Sequence, residues 1–526
     1  LLRVLELWRN NPEVLGHYQQ RFGHILVDEF QDTNAVQYAW LRLLAGKNSD
    51  VTAVGDDDQS IYGWRGAKVE NILSFERDFA DTETIKLEQN YRSTSNILKA
   101  ANAVIAKNAD RLGKNLWTES GEGEPIALYA AFNEHDEARY IADRLGAWAS
   151  EGNRREDSAI LYRSNAQSRV LEAALLQAEI PYRIYGGQRF YERLEIKNAL
   201  CYLRMMLNCN DDVAFERVVN IPPRGIGDRT LEQIRELSRE AGCSLWDASA
   251  RMVEEKRLTA RAANAVSGFM VLINEMSGQL DELPLSEQAE NAIQHSGLVD
   301  MHRREKGERG QARVENLEEL VNACKNFEPE DSGAPVLPQF LDQVALDAGD
   351  RQADQDEDAV QLMTLHSAKG LEFPMVFLAG MEENLFPHKM SIDEPGRLEE
   401  ERRLAYVGIT RAMQKLTMTF AETRSTYGTE SFNSVSRFIR DIPKDVVEEV
   451  RLHNSISRPT TYAGVTNSDE GSDTGFQLGQ QVRHNVYGDG IILNFEGNGP
   501  RARVHIAFDE VGTKILILAS ANLVAI

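Results

Sequence analysis

The sequence predicts an α/β protein built on a parallel sheet, with a helical domain inserted into it and a small all-β barrel at the end. Three observations carry this prediction. From Ile25 to Tyr185 short apolar runs alternate with stretches of helical period, the pattern of successive strand–helix units. From about 190 to 357 the period is almost purely helical, and the strand pattern then returns at Ala359–Leu365, as expected for a helical block inserted in one sheet domain. From about 477 to 526 short alternating strands are separated by Gly-Asp-Gly and Gly-Asn-Gly-Pro, which are hairpin turn sequences.

Taken in order, the chain opens at Leu1 inside an apparent helix, Leu1–Arg9, and is expected to be a piece of a longer protein. Ile25-Leu26-Val27 then runs into Asp28-Glu29-Phe30-Gln31-Asp32. A buried parallel strand would place Asp28 and Glu29 at its carboxyl end, where ligands bind in open α/β sheets. In a nucleotide-hydrolysing motor one such carboxylate holds Mg²⁺, usually through water, and the next polarises the attacking water. A strand ending in a solvated acidic turn would look the same. A helix is predicted over Asn34–Leu44, and a second strand, Val51–Val54, leads into Gly55-Asp56-Asp57-Asp58-Gln59-Ser60-Ile61-Tyr62-Gly63-Trp64-Arg65-Gly66-Ala67. A third strand, Thr84–Leu87, leads into Glu88-Gln89-Asn90-Tyr91-Arg92-Ser93. Further helices are expected at Ser95–Lys107, Glu134–Glu151 and Ala166–Ala178. Further strands are expected at Ile126–Ala130, Ser158–Tyr162, Tyr182–Tyr185, Met375–Ala379 and Lys415–Ala421. The stretch from about 445 to 475 is rich in Ser, Thr, Asn, Asp and Gly and reads as a flexible linker. The barrel strands are Gln481–His484, Gly490–Phe495, Ala502–Phe508 and Lys514–Leu518.

Composition narrows the classes. A chain of 526 residues suggests roughly three or four units. Hydrophobic content of 42% and charged content of 27% are those of a globular protein, and neither a membrane span nor a secretory signal is visible. The four cysteines (Cys201, Cys209, Cys243, Cys324) lack metal-ligand or disulfide spacing; buried structural thiols in a reducing cytoplasm are expected. The net charge of −24 excludes a generally basic nucleic-acid surface. Much of the acid is local, at Asp347–Asp358 and Asp469–Asp473. Nucleic acid would therefore have to be held by individual Arg and Lys residues, backbone amides and aromatic stacking.

Gln59 follows an apolar strand, so it shares the sheet edge with Glu29; a neutral amide there can sense a γ-phosphate or orient water. Tyr62 and Trp64, with Arg65 beside them, suit stacking on unpaired bases, worth about 1–3 kcal/mol per base. Core packing is the alternative for these rings, though Gly63 and Gly66 flank Trp64. Arg92 offers a permanent charge and a forked donor set to phosphoryl oxygens. Thr364-Leu365-His366-Ser367-Ala368-Lys369-Gly370-Leu371-Glu372-Phe373 starts at a strand end and lets backbone amides approach phosphate; otherwise His366 and Lys369 belong to a solvated loop. Pro222-Pro223-Arg224-Gly225-Ile226-Gly227-Asp228-Arg229-Thr230 reads as a tight hairpin before a helix that Asp228 can cap. An ordinary helix–helix turn would have the same Gly-x-Gly.

These motifs, with the helix Glu399–Arg411 (Glu-Glu-Glu-Arg-Arg-Leu-Ala-Tyr-Val-Gly-Ile-Thr-Arg), resemble motifs II to VI of the UvrD/PcrA/Rep helicases of superfamily 1. The similarity runs through the whole chain in order. It implies RecA-like P-loop NTPase motor domains, the first one truncated. The expected layout is the end of a helical 1B subdomain (1–22), the rest of motor domain 1A (23–88) and motor domain 2A (89–185 and 358–450). The helical insertion 2B (186–357), a linker (451–476) and a Tudor-like barrel (477–526) complete it. ATP and Mg²⁺ are the implied ligands. By the resemblance Asp28 holds Mg²⁺, Glu29 positions water, and Gln59, Arg92 and Arg411 sense and stabilise the transferring phosphate. Tyr91 stacks on adenine, Glu372 contacts the ribose and Gly370 lies in the same nucleotide-binding loop. Tyr62, Trp64, Arg65, Thr364 and His366 would contact single-stranded DNA, and Gly225, Gly227 and Thr230 the duplex at a junction. Arg402 and Arg403 read as structural charges. The barrel, with Arg483, Arg501, Arg503 and Lys514 among acids, would contact repair proteins or RNA polymerase. The resemblance further implies 3′-to-5′ translocation in repair and replication, a monomer or DNA-dependent dimer, and a bacterial cytoplasmic, nucleoid-associated location.

One motif is missing. No Gly-x-x-x-x-Gly-Lys-[Ser/Thr] occurs; Gly46-Lys47-Asn48 and Gly113-Lys114-Asn115 both lack the hydroxyl residue. The family carries its P-loop upstream of Asp28, so it is expected N-terminal to Leu1, and the chain alone is expected not to hydrolyse ATP. Two alternatives stay open: the helicase subunit of a recombination helicase–nuclease, and a non-hydrolysing single-strand-binding or regulatory protein.

Overall fold

The computed structural model describes residues 1–46, 49–79, 81–109, 111–305, 307–329, 334–349, 353, 357–426, 429–450, 481–485, 487–496, 503–508, 512–517, 521 and 523–525. The chain forms two compact units, Leu1–Arg451 and Leu452–Ile526.

The centre of the first unit is a seven-stranded sheet. Its strands run in the order Val447–Glu449, Ile126–Ala131, Ala412–Ala421, Phe373–Leu378, Ser158–Tyr162, Val360–Thr364, Tyr182–Ile184, and every neighbouring pair is parallel. A parallel sheet needs both faces covered, and the interior strand Ser158–Tyr162 is buried at all five positions. Its alternate residues serve opposite faces. Ala159 and Leu161 pack with the helices Ser95–Ile105 and Arg397–Ile409. Ile160 and Tyr162 pack with Glu134–Ser150 and Ser168–Gln177.

The helical insertion leaves from Tyr182–Ile184 and returns at Val360–Thr364, two strands that are themselves paired. It is thus an enlarged crossover between adjacent strands. Its helices run from Leu194–Leu207 to Val336–Gly349 around one apolar cluster of their own. A smaller two-stranded parallel sheet, His24–Val27 with Asp50–Ala53, precedes the large one. Ile25, Val27, Val51 and Ala53 face Tyr38 and Leu41 of the helix Ala35–Ala45. In the second unit five strands pair antiparallel, in the order Gly512–Ile517, Arg503–Phe508, Gly488–Glu496, Gln481–His484, Val524–Ala525, over a small core of Val482, Val504, Ile506 and Phe508. Among the described residues its two end strands do not pair with each other.

Several expectations are corrected. The strand His24–Val27 is covered on one face only: Leu26 is 81% exposed, because two strands and one helix cannot bury both sides. Thr84–Leu87 forms no strand; Ile85 and Leu87 are exposed, and a segment without a ladder partner has nothing to hold it extended. Val447–Glu449, at the start of the stretch taken for linker, is instead the edge strand beside Ile126–Leu128. The linker 451–476 and Arg501 lie outside the described residues. Cys201 and Cys324 are buried, but Cys209 and Cys243 are only half-buried. No helix among the described residues is long and apolar enough to cross a membrane.

Candidate functional site

The acids arrive where the strand ends. Val27 is the last strand residue, and Glu29 takes left-handed backbone angles, φ 50° and ψ 43°. That conformation is unfavourable for a residue with a Cβ and persists only where the surroundings impose it. The Glu29 amide donates to Asp28 Oδ1 at 2.8 Å. Asp28 is otherwise exposed, and no cationic side chain pairs with it among the described residues. Gln31, buried and not anticipated from the sequence, ties two loops together. Its Nε2 donates to Glu29 Oε2 at 2.5 Å, and its Oε1 accepts the Asp56 amide at 3.0 Å. A Cβ on Gly55 would lie 2.6 Å from that Oε1, which is why glycine stands at the second strand's exit. Gln59 Nε2 in turn donates to Asp56 Oδ2 at 2.8 Å.

Residues beyond 89 close over this edge. Lys114 pairs with Asp56, and Arg111 forks onto Asp58 at 2.7 and 2.6 Å. The Leu112 amide donates to Asp57 at 2.9 Å. Asp56 and Asp58 are therefore paired with protein cations, and Asp57 accepts a backbone amide. Lys369 reaches across as well: its Nζ lies 2.7 Å from Asp32 Oδ2 and 3.2 Å from Glu29 Oε2. A position open to a solvated-loop reading is thus an internal bridge.

The opposite wall is cationic. Arg92 Nε donates to Glu372 Oε2 at 2.5 Å, and its Nη1 approaches the Thr410 carbonyl at 3.4 Å. Arg411 projects from the end of the helix Arg397–Ile409 and is 2% exposed. It donates to the carbonyls of Val407 and Leu371, at 3.1 and 3.0 Å, and to Thr410 Oγ1 at 3.1 Å. No carboxylate pairs with it among the described residues. Burial, and then the like charge of Arg92, push its pKa down to about 10, so it remains a cation at neutral pH. Tyr91 holds its ring 83% exposed, and Gly370 takes φ +86° in the turn before Glu372.

The aromatic group is less open than the sequence implied. Tyr62 and Trp64 are half-buried. Tyr62 donates to the His366 carbonyl at 3.3 Å, and both rings pack against the His366 imidazole, with centroids 6.5 and 6.3 Å away. The correction is physical: these rings close a contact with the loop after Val360–Thr364 rather than stand free. Arg65 covers Trp64, its guanidinium 4.4 Å from the ring centroid. Between the rings the Gly63 amide donates to Glu400 Oε1 at 2.8 Å. Thr364 Oγ1 is engaged with Ser367, accepting its amide at 3.2 Å. Arg402 pairs with Asp441, in keeping with a structural charge.

The hairpin in the insertion stands apart from this cleft. Ile226 is fully buried while Gly225 and Gly227 are exposed on either side of it. Arg224 fixes the turn from within, donating to Tyr202 Oη at 2.6 Å and to the Ser296 carbonyl at 2.9 Å. Asp228 does not cap the next helix: Gly227 is the N-cap and supplies no side chain, so the first-turn amides have no side-chain cap. Thr230 sits in that first turn.

Comparison with known proteins agrees with this layout. Residues 1–80 match the model of the UvrD/REP helicase N-terminal domain, residues 85–423 that of the UvrD-like helicase C-terminal domain, and residues 478–522 that of the PcrA/UvrD tudor domain. DNA helicase II of Escherichia coli K12 is 58% identical over 525 residues, covering 99% of this chain and 73% of that protein. The ATP-dependent DNA helicase PcrA of Bacillus subtilis is 43% identical over 545 residues, covering 99% of this chain and 73% of that protein. With matches of this extent on both counts, the chain belongs to the UvrD-like helicase family.

Proposed function

We propose that the protein is an ATP-dependent DNA helicase that moves 3′ to 5′ along single-stranded DNA, in repair and replication. The observation that carries the reading is Arg411: a buried guanidinium beside a second one, Arg92, with only neutral acceptors around it. The buried charge of Arg411, with Arg92 close by and paired with Glu372 at the partly exposed rim, invites an anion, and a triphosphate has the right charge. Arg92 and Arg411 would exchange their protein acceptors for phosphoryl oxygens. Tyr91 offers an open ring to adenine, and Glu372 a carboxylate to ribose hydroxyls. Asp28, exposed and paired only with a neighbouring amide, suits Mg²⁺ held through water. Bound Mg²⁺ would offset charge on the phosphates. Glu29 would orient the attacking water, and Gln59 would sense the γ-phosphate.

Residues 23–88 and the large sheet domain are assigned to the two motor domains. Tyr62, Trp64, Arg65, Thr364 and His366 are assigned to the strand, and Gly225, Gly227 and Thr230 to duplex phosphates at a junction. The Tudor-like module is assigned to protein contacts. The P-loop these roles require is not among the 526 residues, so the chain by itself is expected to bind DNA without hydrolysing ATP. That absence is also what favours the second reading, a non-hydrolysing DNA binder.

The test is displacement of a 3′-tailed duplex by protein that includes a P-loop segment. Glu29→Gln and Arg411→Ala should each lower kcat for ATP by about 10³-fold or more and leave single-strand affinity within a few-fold. Normal hydrolysis by Arg411→Ala would sink the reading. DNA-stimulated hydrolysis by the 526-residue chain alone would sink the requirement for a P-loop.

A further inference from the structure

Lys369 touches both acidic loops of the first segment at once, the one after His24–Val27 and the one after Asp50–Ala53. It sits on the loop that follows the strand Val360–Thr364. Its Nζ donates to Asp32 Oδ2 at 2.7 Å and to the Gln59 carbonyl at 3.0 Å, and lies 3.2 Å from Glu29 Oε2. The ammonium thus makes two hydrogen bonds and one ion pair, all to residues some three hundred positions earlier. The side chain is only 7% exposed. Burying an ammonium is costly unless it is paired and fully hydrogen-bonded, so this placement is specified. Asp32 depends on it: its Oδ1 has no partner among the described residues, and burial holds its pKa above the ordinary value. Glu29 depends on it too, since its strained backbone leaves its carboxylate to be fixed by Gln31 and Lys369.

The same ammonium lies 5.3 Å over the Tyr62 ring. Three residues earlier on its loop, the His366 carbonyl accepts the Tyr62 hydroxyl and its imidazole meets Trp64. Lys369 therefore has both a direct ring contact and a three-residue covalent path to this cluster.

We propose that Lys369 is a positioning residue that couples strand occupancy at Tyr62, Trp64 and His366 to the carboxylate of Glu29. The proposal rests on the reading of Glu29 as the water-orienting group. Lys369 acts through Glu29 and is not itself assigned a contact with ATP.

The test uses protein with its P-loop. In Lys369→Met the ratio of ATP turnover with and without saturating oligo-dT should fall by about 5- to 150-fold, the span of ordinary coupling between sites. KM for ATP and oligo-dT affinity should stay within about threefold, and Lys369→Arg should recover part of the stimulation. A merely structural lysine would lose affinity and turnover together. An unchanged stimulation ratio in Lys369→Met, or a parallel loss of strand binding, overturns the proposal. If Lys369→Met does not fold, Lys369→Gln, which keeps a donor without the charge, must show the same lost stimulation or the proposal fails. Glu29→Gln separates the two ideas. Normal turnover in Glu29→Gln refutes the role of Glu29 itself. An inactive Glu29→Gln beside a normally stimulated Lys369→Met refutes only the coupling.

Discussion

His366 shows how much one side chain's surroundings decide. It is packed against Tyr62 and Trp64, and burial, followed by the nearby Arg163 guanidinium, pushes its imidazole pKa down to about 3. An unfolded histidine titrates near 6.5. Between these values the unfolded chain binds more protons at this position than the folded one. His366 therefore contributes fully above about pH 6.5, and the contribution is lost as pH falls toward 3. His366→Asn should flatten the fall in melting temperature between about pH 6.5 and 4, measured by calorimetry in parallel with the native chain. A neutral His366 also means that the positive charge at the ring cluster comes from Arg65 and Lys369 and not from the imidazole.

At the level of elements, the helix Arg397–Ile409 sets the cationic wall. It packs so closely on the sheet that a Cβ on Gly408 would fall 2.4 Å from Leu365 Cδ2 and 3.1 Å from Leu378 Cδ2. Three residues later comes Arg411. Gly408→Val should destabilise the fold by about 1–3 kcal/mol through overpacking, visible as a lower urea midpoint. Because the helix end must shift, it should also weaken any ATP-dependent turnover beyond the effect on stability. The same helix carries Glu400, which holds the Gly63 amide between the two rings. Glu400→Ala should raise the dissociation constant for oligo-dT by about 5- to 30-fold, the equivalent of losing roughly 1–2 kcal/mol for a charge-assisted hydrogen bond that orders the loop. Unchanged affinity, by fluorescence anisotropy, would show that this loop does not need the tether. Six of the seven strands of the large sheet and the helices around it were legible from local period, because each buries a face that the sequence marks; the short edge strand Val447–Glu449, with two of its three residues exposed, was not. Thr84–Leu87 was misread for the same reason: it has the pattern of a strand but no neighbour to pair with.

For the whole molecule, the net charge of −24 works against a broad electrostatic grip on DNA. Proteins that neutralise six or more phosphates lose about 10³-fold or more in affinity between roughly 50 and 200 mM salt. This chain should lose much less, because stacking and backbone amides carry no counterion release. A steep salt dependence in anisotropy titrations would contradict that picture. The motor portion and the insertion are meanwhile joined by polar contacts: Glu315 on the helix Glu308–Lys325 accepts from Ser164 at 2.5 Å and meets His388 at 3.1 Å.

The sequence by itself determined the alternation that makes a parallel sheet, the place of the insertion, the strands of the terminal module and the motifs at the strand ends. All of these are written in neighbours a few residues apart, where backbone geometry links pattern to structure. Only the tertiary structure decided the partners. Arg92 meets Glu372 across 280 positions, while Gly63 meets Glu400, and Lys369 meets Asp32, across 337. No local period encodes such distances; they are fixed when the two sheets pack and bring their loops to one edge. The same packing made Lys369, for which a solvated loop was the alternative reading, an internal bridge, and two rings expected to be open a closed contact. It also left Arg411 a buried cation with no carboxylate paired to it among the described residues, which no reading of neighbours along the chain could have shown.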